Sequence, residues 1–70
     1  MKMKYEQIFK DEFSSYWIIS SEISIDRPLA IVKTHNGAAF EIQFLETTPS
    51  ACRTILEELE KAENAGAFLC

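Results

Sequence analysis

Nucleophilic catalysis needs a thiol or hydroxyl with a base in hydrogen-bond reach, and Cys52 with His35 is the one pairing here that offers both. Cys52 follows Thr48-Pro49-Ser50-Ala51, a helix-start signature, and a helix N-terminus lowers a thiol's pKa. The same spacing turns Cys52 to the apolar side of that helix, with Ile55, Leu56, Leu59 and Ala62, where it reads as a small packed side chain. His35 precedes Asn36-Gly37 and reads as a hairpin-end residue at the rim of a sheet. Two cysteines and one histidine, with no CxxC spacing, make no zinc site, and two glycines are too few for a phosphate-cradling loop. The expectation is therefore a protein that is not an enzyme, with no catalytic residue, metal or cofactor.

The remaining chemistry is charge. Eleven acidic against seven basic residues give a net −4, opposite to what a phosphate-binding surface needs. Direct nucleic-acid binding and attraction to an anionic membrane are both disfavoured. Glu57, Glu58, Glu60 and Glu63 wrap one helix face and flank each other without converging. Most simply they are a solvated face; functionally they are a contact surface for a basic partner. No run approaches the roughly 18 apolar residues of a membrane span. Met-Lys-Met-Lys-Tyr-Glu-Gln lacks a signal's apolar stretch, so a cytoplasmic protein with reduced Cys52 and Cys70 is expected.

The elements that must position these groups follow from periodicity. Seventy residues form one small domain, whose core must use nearly every large apolar side chain. Tyr5, Ile8, Phe9 and Phe13 fall at i, i+3, i+4 and i+8, which predicts an amphipathic helix over 1–13. Residues 16–25 alternate as a strand, with Asp26-Arg27-Pro28 as the turn. Leu29–His35 and Ala38–Leu45 form a hairpin about Asn36-Gly37, the strongest turn signal in the chain. Loops at 26–28 and 36–37 place Trp17, Ile19, Ile23, Ile25, Leu29, Ile31, Phe40, Ile42 and Phe44 on one face. A helix from Thr48 to Asn64, capped by Gly66, precedes an apolar tail, Ala67–Cys70. The predicted fold class is α+β: α-β-β-β-α, a three-stranded antiparallel meander with two helices on one face.

That element order, over the whole chain, resembles the double-stranded RNA-binding domain. The family grips phosphates with lysines at the start of its last helix, where this chain has Thr48-Pro49-Ser50-Ala51-Cys52-Arg53. The resemblance is topological and transfers no function. In size, charge and element order the chain also resembles small acidic phage-encoded inhibitors of bacterial defence nucleases.

A three-stranded meander has two open edges, each either covered or used for pairing. On the first strand Tyr16, Ile18, Ser20, Glu22 and Ser24 point away from the helices, and only Glu22 deters a partner strand. The function expected is a non-enzymatic acidic protein-binding module, a regulator or inhibitor of a protein that handles nucleic acid. Its candidate partner-binding residues are Tyr16, Ile18, Ser20, Glu22 and Ser24 at the edge and Glu57, Glu58 and Glu60 on the helix. The partner is a basic or nucleic-acid-handling protein, or a second copy joined through a strand edge. The alternatives are a nucleic-acid binder of the double-stranded RNA-binding type and a structural homodimer or obligate subunit.

Overall fold

The computed structural model describes residues 3–23 and 26–69. Strands β1 (Met3–Lys10), β2 (Ser15–Ser21), β3 (Pro28–His35) and β4 (Ala38–Phe44) precede one helix, α1 (Pro49–Asn64). The strands make one antiparallel sheet in the order β1-β2-β3-β4. The fold is α+β with an antiparallel sheet, but the predicted α-β-β-β-α is wrong at its first element: four strands and one helix replace three strands and two. The resemblances in element order lapse with that helix.

The N-terminal segment is a strand because its first half alternates. Buried Met3 and half-buried Tyr5 face the core while Lys4 and Glu6 are exposed. Gln7 then opposes Trp17 and Phe9 opposes Tyr16, with Ile8 inserted between them. A bulge of this kind sets neighbouring residues on one side and shifts the alternation. Tyr5, Ile8 and Phe9 thereby acquire a helical spacing without forming a helix.

The other two pairings also slip by a residue. In β2–β3, Ile19 opposes Ala30 but Ser20 opposes Pro28. Strand β2 ends at Ser21, so Glu22 and Ile23 belong to the connection, and Ile23 is 92% exposed. Ile23 thus does not join the core face predicted for it, while Ile19 does, opposite Ala30; Ile25 lies outside the described residues. In β3–β4, His35 opposes Ala38 and Thr34 opposes Ala39, as an Asn-Gly hairpin requires, but Lys33 opposes Glu41. Phe40 is the inserted residue, and the register beyond it brings Val32, not Ile31, opposite Ile42. Asn36 (φ 53°) and Gly37 (φ 85°) both take the left-handed backbone of a type I′ turn.

Helix α1 lays Ile55, Leu59 and Ala62 on the sheet face formed by Trp17, Ile19, Ala30 and Val32. Ile42, Phe44, Leu29 and Tyr5 pack around that centre, half-buried. Thr34 lies in the core and not on the polar face: its Oγ1 accepts the Trp17 indole N–H at 2.9 Å and donates to the Ser15 carbonyl at 3.4 Å. Leu56, expected in the apolar stripe, is 48% exposed. Thr48 precedes Pro49 as predicted, but its side chain caps nothing; its carbonyl accepts the Cys52 N–H. After Asn64 the chain reverses through Gly66 (φ 76°), with the Ala67 N–H bonded to the Ala62 carbonyl. The tail then returns to the core. Phe68 is buried, its ring edge-on to Trp17 (centroids 5.2 Å apart) and Tyr5 (5.4 Å). Cys70, and with it any pairing to Cys52, lies outside the described residues.

Candidate functional site

Helix α1 packs on one side of the sheet, and no other described element packs on the opposite side. Strands β2 and β3, paired on both sides, carry Tyr16, Ile18, Ile31 and Lys33 on the other side, all half-buried. The bulges bring Phe9 (52% exposed) and Phe40 (55%) to the same face from β1 and β4. A stripe therefore crosses all four strands. Phe9 and Tyr16 stack with ring centroids 5.6 Å apart, and the Lys33 Nζ lies 5.2 Å from the Tyr16 ring and 5.5 Å from the Phe40 ring. Lys33 is held between two aromatic faces. Its pKa is raised, first by the hydrogen bond and charge interaction with Tyr16, then by Glu41 and Asp11. The next row across the sheet is Glu6, Ile18, Ile31 and Gln43.

One end of the stripe is framed by the β1–β2 turn. The Asp11 carboxylate accepts the N–H groups of Phe13 (2.9 Å) and Ser14 (2.6 Å), which holds its pKa low. The His35 Nδ1–H donates to the Phe13 carbonyl, and His35 Nε2 accepts from the Asn36 amide at 3.3 Å. Both imidazole nitrogens are thus engaged, Nδ1 tying the two hairpin ends together and Nε2 bonding within the Asn36-Gly37 turn. Phe13, Ser14, His35, Ala38 and Phe40 line a shallow groove of about 430 Å³ that prolongs the apolar face. His35 and Cys52 are not brought together. His35 ends β3 opposite Ala38, the first residue of β4, and the Cys52 thiol contacts the Glu46 carbonyl (3.5 Å) beyond the far end of β4. Among the described residues, no group of three His, Cys, Asp or Glu side chains could hold a metal ion. No helix among the described residues is long and apolar enough to cross a membrane.

The residues predicted to bind a partner are dispersed. Tyr16 and Ile18 do lie on the uncovered face. They do not lie at an edge, because β1 pairs with β2 and makes it interior. Ser20 is buried between Lys4 and Pro28, Glu22 is exposed beyond the strand, and Ser24 lies outside the described residues. The sheet's edges are β1 and β4, and each is interrupted by a bulge, a feature that discourages strand addition. On α1, Glu57 and Glu60 are exposed, while Glu58 is half-buried and paired with Lys61 at 3.5 Å. The Tyr5 hydroxyl donates to the Glu58 carbonyl at 3.2 Å. Phe9, Phe40, Ile31 and Lys33 escape a reading of the sequence, because strict alternation assigns Phe40 and Ile31 to the core and helical spacing assigns Phe9 to a helix.

The chain was compared with protein-family models, curated proteins and solved structures. It matches none of them.

Proposed function

We propose that this protein is a non-enzymatic protein-binding module that docks through the uncovered face of its sheet. The observation that carries this is the four-strand stripe of Phe9, Tyr16, Lys33 and Phe40, backed by Ile18 and Ile31. A small domain needs its large apolar groups inside, yet this one leaves two phenylalanines half-exposed on a face no helix covers. Contiguous exposed apolar surface of this kind marks an interaction site. Aromatic rings are also among the residue types enriched at protein interfaces.

An aromatic sheet face with a lysine is equally the form of a single-strand stacking platform. Charge argues against that here. Lys33 is opposed by Glu41, and the net −4 supplies no cationic track for a phosphate backbone. The acidic face of α1, with Glu57 and Glu60 exposed, stays free for a basic or nucleic-acid-handling partner. Regulation or inhibition of such a partner would run through that second surface.

The test is capture by immobilised protein from a lysate of its native cells, with nuclease present, comparing wild type with Phe9→Ser/Phe40→Ser. Wild type should retain a protein that the variant releases. Equal capture by both, or capture abolished by nuclease together with single-strand binding by the purified protein, contradicts docking of protein on this face.

A further inference from the structure

We infer that the occupant of the uncovered face is a second copy of this chain, packed sheet to sheet about a two-fold axis parallel to the strands; this rests on the docking role of that face.

The first support is charge. Although the chain carries −4, the charged groups on or beside this face are Lys4, Glu6, Asp11, Lys33 and Glu41, two basic against three acidic. The excess of negative charge lies on α1 and in the turns. An acidic protein thus presents to a like-charged copy a nearly balanced surface, on which repulsion is small.

The second support is register. The axis sets β2 of one copy against β3 of the other, and β1 against β4. Tyr16 then faces the partner copy's Lys33, and Ile18 faces its Ile31. Phe9 comes opposite the bulge that carries Phe40 and Glu41, and Glu6 comes opposite Gln43. In these pairs apolar groups meet apolar groups, each Lys33 meets the other copy's Tyr16 ring, and no two like charges are opposed. Two-fold contacts must be self-complementary in this way, and two sheets packed face to face bury side chains in an aligned sandwich.

Area sets the strength. With strands about 4.8 Å apart and about 3.3 Å per residue, four strands of seven residues cover roughly 400 Å² of plane per copy. Side-chain relief raises the accessible area above that figure, bringing the pair near the low end of specific interfaces at about 1,200 Å². An interface of this size is that of a reversible pair, whose association is sought at micromolar and higher concentrations. It leaves each copy's α1 facing outward, so that the acidic helix is displayed twice.

Sedimentation equilibrium of the purified protein over about 10–500 μM tests this, with Phe40→Ser and Ile31→Ser compared and their folds checked by circular dichroism. Ile31 lies on an interior strand, out of reach of any strand-edge pairing. Wild type should show a monomer–dimer equilibrium whose Kd rises at least tenfold in either variant; if one variant unfolds, the other decides. A wild-type monomer throughout overturns the second copy as occupant, while a protein captured in a Phe9- and Phe40-dependent way would leave the docking role of the face standing. A dimer unaffected by the folded variants overturns it too and moves association to an edge or to the helix.

Discussion

Trp17 is the largest side chain in the chain's centre, and its indole N–H has a single acceptor, the Thr34 hydroxyl, at 2.9 Å. Removing that acceptor leaves a buried donor unsatisfied, which costs about 1–3 kcal/mol. Thr34→Val should lower the urea-unfolding free energy by that amount, and Thr34→Ser, which keeps the oxygen, by clearly less. Tyr5 gives a pH-dependent counterpart. Burial, and secondarily the Glu58 carboxylate, raise its pKa above the ordinary value near 10. The unfolded chain releases this proton at about pH 10, while the folded chain still holds it. Tyr5's contribution to stability is therefore complete below pH 10 and declines as pH rises towards its folded value. Urea midpoints measured from pH 8 to 11 should fall more steeply for wild type than for Tyr5→Phe.

At the scale of elements, three register slips decide which side chains are structural. Phe40 is an inserted residue on the open face, so Phe40→Ser should change unfolding free energy by less than about 1 kcal/mol, as surface substitutions do. Ile55→Ala, at a position only 2% exposed, should cost about 2–5 kcal/mol. Leu56→Ala, one residue on and 48% exposed, should cost much less. Gly37 adds a turn-level case: a Cβ there would stand 2.3 Å from the Leu69 Cδ2 at a φ of 85°. Gly37→Ala should therefore destabilise by about 1 kcal/mol or more. The hairpin about Asn36-Gly37, the helix from Pro49 to Asn64 and the glycine reversal after it were legible because each has a local chemical signature. The bulges were not. An inserted residue carries no type signal in Ile8, Leu29 or Phe40, and each one inverts the faces of everything beyond it. Reading β1 as a helix and Phe40 as core are the same error at two places.

For the whole molecule, the consequence of those slips is the make-up of the open face. The sequence placed Tyr16 and Ile18 on the side away from the helices, which holds. It placed them on an edge strand, which fails because the strand that should have been a helix occupies that edge. The side away from the helices is open in the predicted fold as well; the register slips are what add Phe9, Phe40 and Ile31 to Tyr16 and Ile18 there. Association through this face is the central claim, and isoleucine methyl resonances report on it directly. Ile18 and Ile31 lie on the open face, Ile19 and Ile55 in the core, and Ile23 in the exposed connection. In methyl-labelled protein diluted from about 500 to 10 μM, Ile18 and Ile31 should shift or broaden progressively while Ile19, Ile23 and Ile55 stay fixed. Concentration-independent Ile18 and Ile31 signals, or changes confined to the other isoleucines, would contradict it.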